Sequence, residues 1–220
     1  MDKERYELIR RIASVVAHEL RNPLAVINNS AYFVKTKLGM SAEKDPKVEK
    51  HLGIIASEIA RADRMISDML AFSRPLEIKT GKVALSAVVE EALRACSVPD
   101  AVKVKRAGAK TVPEARVLAD ALRRVMDNAV EAMAGPGTMT VSLGTEGGQV
   151  FMEVRDTGPG IKPEALASVA QPFFTTKPRG LGLGLAVADK VMTAHGGRLE
   201  AKNLPGAGAA VVLSVPQASA

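Results

Sequence analysis

The chain has little that would mark an extracellular, membrane-spanning or nucleic-acid-binding protein. Its 220 residues include one cysteine, Cys96, so no internal disulfide is available and a reducing compartment fits. A small apolar filler at a helix end is the expectation for that residue. Phe, Tyr and Trp make up 3% of the chain and Trp is absent, which removes the aromatic platforms that stack single-stranded bases. No run of about 18 apolar residues could span a bilayer, and no signal peptide opens the sequence. Charge of one sign is not concentrated either. Residues 1–74 hold 13 Lys and Arg against 10 Asp and Glu, and the remainder holds 17 against 14, so each part contributes +3 to a net charge of +6. A basic nucleic-acid face is therefore not expected, and a mild positive field would suit an anionic nucleotide or an acidic protein partner.

What is present begins with Ser14-Val15-Val16-Ala17-His18-Glu19-Leu20-Arg21-Asn22-Pro23-Leu24. Ile9, Ile12, Ala13, Val16, Leu20, Leu24 and Ile27 recur at helical steps and mark a buried face. His18 is two residues from Val16 and from Leu20 and points to the wet side, with Glu19 beside it and Asn22 one turn on. A lone surface histidine is ordinarily just solvated. The second His that a metalloprotease helix needs is lacking, so zinc is excluded here. Pro23 removes a helix hydrogen bond and builds in a bend one turn past His18.

Two regions follow from the patterning. Residues 1–75 read as a helical hairpin, with helix one over Asp2–Lys37, a turn through Gly39 and Ser41–Pro46, and helix two over Pro46–Ser73. Leu52, Ile55, Ile59, Ala62, Ile66 and Met69 form a heptad seam on helix two. Two helices cannot bury both seams alone, so a homodimer joined as a four-helix bundle is expected. His51 reads as a solvated surface group.

Residues 76–220 alternate helix and strand patterns. A helix capped by Ser86 runs through Ala95, a strand covers Ala101–Arg106, and an amphipathic helix covers Val117–Ala134. Strands Thr138–Gly144 and Gln149–Asp156 are joined by Gly147-Gly148. A helix over Gly184–Ala194 and strands over Arg198–Lys202 and Ala209–Val215 close the region. This is an α+β sandwich with helices on one face of a mixed sheet.

Three signals in this region carry chemistry. Asp156-Thr157-Gly158-Pro159-Gly160 follows a strand, where an acid can accept from an exocyclic amine while glycines admit a flat ring. Gly180-Leu181-Gly182-Leu183-Gly184-Leu185 leads into a helix, so backbone N–H groups and the helix N-terminus make an anion site. It is not a Walker loop, since no Gly-Lys-Ser/Thr follows. Asn128 lies at the edge of the apolar face Leu122, Val125, Met126, Ala129 and Met133, where an amide oxygen suits a nucleotide-bound Mg²⁺.

His18 to Pro23, Asp120 to Ala129, Asp156 to Gly160, Pro172-Phe173-Phe174-Thr175-Thr176-Lys177, Gly180 to Leu185 and His195-Gly196-Gly197 resemble, in order and spacing, the boxes of sensor histidine kinases. The resemblance runs from about residue 5 to 215, and the wording of its last boxes is similar to the nitrogen- and oxygen-sensing branch. It implies a dimerisation and phosphotransfer domain over residues 1–75 and a Bergerat-type ATP-binding domain over 76–220. It further implies His18 as phosphoacceptor, Glu19 as the group that orients its imidazole, and Asn22 as the residue that orients water in the reverse, phosphatase direction. Asn128 would hold Mg²⁺ through ATP, Asp156 would read adenine with Gly158 and Gly160 around the ring, and Thr176, Lys177, Gly180, Gly182, Leu183 and Gly184 would surround the phosphates. Residues 161–179 would form a mobile lid, its shapes limited by Pro163 and Pro178, and His195 would pack or cap rather than catalyse. The implied partners are a second copy and a response regulator receiver domain, met by the exposed face around His18 with Arg21 and Ala17. No nucleic acid and no membrane contact are expected of this segment. The expected location is cytoplasmic, and the start of the chain so close to the bundle reads as a cut from a parent whose anchor, if it has one, lies elsewhere.

One position departs from the family. Arg124 stands where many relatives carry a first Asn and related ATPases a water-activating Glu. A guanidinium is always protonated and cannot be that base, which disfavours an autonomous hydrolase, although it could reach a phosphate. Two other readings fit parts of the sequence: a superfamily ATPase or serine kinase, which lacks the His18 box, and a pseudokinase scaffold.

Overall fold

The computed structural model describes residues 17, 20–21, 24–36, 38–39, 46–76, 82–107, 111–113, 116–177 and 180–217, with the backbone alone for residues 82–84, 105–107, 111–113 and 116–117. The chain divides into two units, Met1–Pro75 and Leu76–Ala220. His18, Glu19, Asn22 and Pro23 lie outside the described residues, as do most of the expected turn after Gly39, Pro178 and Arg179.

In the first unit residues 24–36 are helical (α1) and Pro46–Ser73 forms α2. The heptad seam does part of what its spacing requires: Ile59 and Ile66, seven residues apart, are buried. Leu52, Ala62 and Met69 are half-buried, and Ile55 is exposed. Ala17 was expected on the exposed face and is instead 1% exposed. It lies seven residues, two turns, before the half-buried Leu24 and so shares its side of the helix, whereas Leu20, expected on the buried face, is 48% exposed. Arg21, one turn past Ala17 along the same side, is half-exposed and reaches α2, at 3.9 Å from Asp63 and 3.5 Å from Ser67. The same helices leave Val26, Ile27, Tyr32, Phe33 and Ile54 exposed, Tyr32 at 72%.

The second unit follows its patterning more closely. The α3 helix (Leu85–Ala95) buries Leu85, Val88, Val89 and Ala92, at steps of three, one and three. It starts on Leu85, one residue before the expected cap, because Leu85 is needed in the core and Ser86 rides on the exposed side of the first turn. The α4 helix (Arg116–Met133) sets Leu118, Leu122, Val125, Met126 and Ala129 against the sheet, and Leu122 is 0% exposed. The helices α4 and α6 (Gly184–Ala194) pack against each other on the same face.

Five strands form one mixed sheet in the order β2 (Val102–Ala107), β4 (Gly137–Glu146), β5 (Gln149–Arg155), β7 (Ala209–Pro216), β6 (Arg198–Asn203). Only the β2–β4 pair is parallel. Gly147 and Gly148, both at positive φ, close the β4–β5 hairpin as the sequence indicates. Register places Leu143, Met152, Leu213 and Leu199 in one row beneath the helices. The period-2 alternation turns Glu153 to the other face, where it is buried under Arg155, at 2.7 Å, and Lys202, at 3.3 Å.

Three short elements were not expected. Strands β1 (Lys82–Ala84) and β3 (Thr111–Pro113) pair antiparallel, and three residues are too few to show an alternation. A single turn, α5 (Pro163–Leu166), stands inside the segment read as a lid, with Pro163 in its first turn, where a fixed φ favours the helix. No helix among the described residues is long and apolar enough to cross a membrane.

Candidate nucleotide site

One cleft of the second unit is lined by Val125, Asn128, Ala129 and Ala132 of α4, Val154 of β5, the loop residues Asp156, Gly160 and Ile161, and Ala209 and Val211 of β7. Its walls are apolar and its polar groups few, the usual balance of a small-molecule site. Its floor is the end of β5. The strand stops at Arg155 and the chain turns at Asp156, which is 8% exposed. A buried carboxylate needs partners, and Asp156 Oδ1 accepts the Gly158 N–H at 2.8 Å and the Ala209 N–H at 3.4 Å. Both contacts fall on one oxygen.

The amphipathic stripe of α4 sets Asn128 at the rim, as its position beside Val125 and Ala129 requires. Its amide oxygen already has a cation. The Lys177 ammonium lies 2.7 Å from Asn128 Oδ1 and 2.7 Å from Glu131 Oε2. Two motifs 49 residues apart in sequence therefore meet at one point of the cleft. The Lys177 backbone is held by its own turn, its N–H donating to Thr175 Oγ1 at 3.0 Å and its carbonyl accepting from the Gly180 N–H at 3.2 Å. Thr176 is exposed beside it. Glu131 was not singled out in the sequence, where one more acid on a helix reads as a solvated face.

Glycine is required at Gly182 for two reasons. Its φ is +67°, and a Cβ there would fall 2.4 Å from the Phe174 carbonyl oxygen. The Phe173 N–H in turn donates to the Gly182 oxygen at 2.9 Å, tying the two motifs at their backbones. Leu183 occupies the N-cap of α6, is 1% exposed, and offers no side-chain oxygen to the first turn. No side chain caps that turn, so its first N–H groups can donate to an anion. Gly184 needs no special conformation, and a Cβ there would meet nothing within 4 Å.

The Arg124 side chain is buried and its Nε donates to Asp120 Oδ2 at 2.9 Å, one turn back on α4. Burial alone would raise the Asp120 carboxyl, but Arg124 and Arg123 beside it hold it below the usual carboxylate range. His195 caps α6, its N–H bonded to the Val191 and Met192 carbonyls and its Nδ1 at 2.8 Å from Val191 O. His51 is exposed on α2. Cys96 is buried at the end of α3, and burial followed by the neighbouring Asp127 carboxylate pushes its thiol up to about 12.

Two family models match this chain. Residues 8–77 match the family model of the His Kinase A (phospho-acceptor) domain, and residues 114–219 match that of the histidine kinase-, DNA gyrase B-, and HSP90-like ATPases. The sensor histidine kinase ZraS of Escherichia coli O157:H7 is 30% identical over 222 residues, covering 97% of this chain and 47% of that protein. The chain thus spans about half the length of the curated relatives it matches. Among solved structures, the mycobacterial sensor histidine kinase MprB aligns with a TM-score of 0.56 and 28% identity, over 63% of this chain and 98% of that one. Histidine kinase ThkA in complex with response regulator protein TrrA aligns with a TM-score of 0.65 and 23% identity, over 98% and 64%.

Proposed function

Because the chain belongs to the histidine kinase family, joining a phospho-acceptor domain to an ATPase-type domain, we propose that it binds ATP in the cleft and transfers the γ-phosphoryl group to His18. The observation that carries the reading is the meeting of Lys177 with Asn128 at the rim of the cleft that Asp156 floors. Asp156 spends Oδ1 on two backbone N–H groups, which orients the carboxylate and leaves Oδ2 to accept the adenine amine. Gly158 and Gly160 let this loop pack tightly around the base site, since a Cβ would press on Asp156 and Ala132 at the first and on Asn203 at the second. The first-turn N–H groups of α6 and the backbone of Gly180 and Gly182 receive the phosphates. Lys177, bonded to Asn128 and Glu131, has in the phosphates a more highly charged partner.

Asn128 Oδ1 would then be the oxygen donor that holds Mg²⁺. Mg²⁺, when bound with ATP, supplies neutralisation of phosphate charge. At His18 a neutral imidazole nitrogen forms the N–P bond as the bond from the γ-phosphorus to the bridging oxygen breaks and ADP leaves. Glu19 accepts the N–H of the other ring nitrogen and fixes the reactive tautomer. Catalysis of this step is mainly positioning and charge neutralisation.

The phosphoryl group passes next to an aspartate of a receiver domain, and Asn22 orients water when that aspartyl phosphate is hydrolysed. The TrrA complex of the related ThkA supports a response regulator as the acceptor. The exposed apolar residues of α1 and α2 support a homodimer closed through the hairpins, since such surface is rare on a lone chain. Incubation with γ-labelled ATP and Mg²⁺ tests the reading. The expected label is acid-labile and base-stable and chases onto a receiver domain. An acid-stable label would instead indicate a serine kinase, and no label despite nucleotide binding a pseudokinase.

A further inference from the structure

Asn203 ends β6, in the string Lys202-Asn203-Leu204-Pro205-Gly206, where an asparagine reads as an ordinary turn residue. Its amide instead spans 42 residues of sequence to reach the cleft. Asn203 Oδ1 accepts the Ile161 N–H at 2.7 Å, and Asn203 Nδ2 donates to the Ile161 carbonyl at 2.7 Å. Ile161 offers one donor and one acceptor, so a single orientation of the amide satisfies both. The pair reproduces with one side chain the two-bond exchange of an antiparallel ladder.

The clamped residue matters. Ile161 and its neighbour Gly160 line the cleft with Asp156, and Ile161 is where the proposed lid begins. Gly160, at φ +81°, passes so close that a Cβ would lie 3.0 Å from Asn203 Oδ1. The turn after Asn203 presses on the same loop from behind. The Leu204 N–H closes it onto the Gly208 carbonyl at 3.0 Å. Gly208, at φ +90°, lies so near the loop that a Cβ would fall 2.0 Å from the Asp156 carbonyl oxygen. The β6–β7 turn is thus the back wall of the base-reading loop, and Asn203 is its fastening.

We propose that Asn203 is a positioning residue for the nucleotide site, fixing the loop from Asp156 to Ile161 so that movement of the lid does not loosen the carboxylate that reads the base. The proposal rests on the ATP reading above. Calorimetric titration of the full chain with ADP and Mg²⁺, beside amide hydrogen exchange at Ile161, tests it in the unaltered protein, Asn203→Ala and Asn203→Asp. Loss of both bonds in Asn203→Ala is expected to weaken ADP about tenfold and to speed exchange at Ile161 about as much, with strands β6 and β7 still protected. Asn203→Asp keeps the size but sets a carboxylate against the Ile161 carbonyl, so it is expected to bind no better than Asn203→Ala. Unchanged ADP affinity in both variants, restored affinity in Asn203→Asp, or loss of protection throughout β6 and β7 would each overturn the proposal. If the unaltered chain binds no ADP, the ATP reading fails, and the proposal with it.

Discussion

The two units of this chain treat their apolar residues in opposite ways. The sheet unit hides most of them: Leu122, Met126, Met152 and Leu213 are fully buried, and Phe173, in the segment read as a lid, is its exposed large apolar residue among those described. The helical unit leaves many outside, with Val26, Ile27, Tyr32 and Ile54 exposed on helices that bury little beyond Ala17, Ile59 and Ile66 among the described residues. The difference teaches how the work is divided. A unit that completes its own core can hold a small-molecule site on a rigid frame. Exposed apolar residues on both described helices are the surface that the proposed homodimer would cover.

Core deletion sharpens the contrast most. Leu122→Ala is expected to destabilise the sheet unit by about 3 kcal/mol, whereas Ile27→Ala on an exposed position costs that unit nothing. Cys96 is a built-in reporter, since a buried thiol with its pKa pushed up to about 12 reacts only when the unit opens. Its labelling by a thiol reagent is expected to speed up about a hundredfold in Leu122→Ala and to be unchanged in Ile27→Ala, which should instead weaken self-association measured by sedimentation.

The glycine loop gives a smaller effect. Gly182→Ala forces a side chain into positive φ and onto the Phe174 carbonyl, so nucleotide affinity should fall by about tenfold or more. Gly184→Ala meets no protein atom and should leave the melting temperature unchanged. Any affinity it loses in the same titration would arise from contact with the ligand itself.

The smallest effect concerns Asp120. Its folded carboxyl titrates below its unfolded value, so it contributes stability above the unfolded pKa, and that contribution is lost as pH falls through the folded one. Asp120→Asn should therefore cost about 1 kcal/mol near neutrality, in part because Arg124 loses a partner, and the difference from the unaltered chain should vanish in strong acid. Denaturant unfolding across pH checks the sign.

Much of the sheet unit was legible because its signals are long. The eighteen residues of α4 carry a full apolar stripe, and the Gly147-Gly148 pair fixes the β4–β5 register on its own. Asp156, Asn128 and Lys177 were readable as motif residues, and the fold sets Asp156 and Asn128 in one cleft with Lys177 bonded to Asn128 at its rim. What was not legible depends on partners remote in sequence. Nothing in Glu131 announces a lysine 46 residues away, and nothing in Asn203 announces Ile161. Three-residue strands such as β1 and β3 show no period at all. The burial of Ala17 and the exposure of Leu20 turn on which side of the helix is covered, which the spacing of the larger side chains alone does not fix.

The division of labour is tested most directly by locating the phosphate. The full chain would be incubated with ATP and Mg²⁺, digested at neutral pH, and its phosphopeptides read by mass spectrometry. A phosphoryl group is expected on the imidazole of His18, in the helical unit, and is expected to be lost in Asp156→Asn, in the sheet unit. Phosphate on a serine or threonine, or at His18 undiminished in Asp156→Asn, would contradict that division.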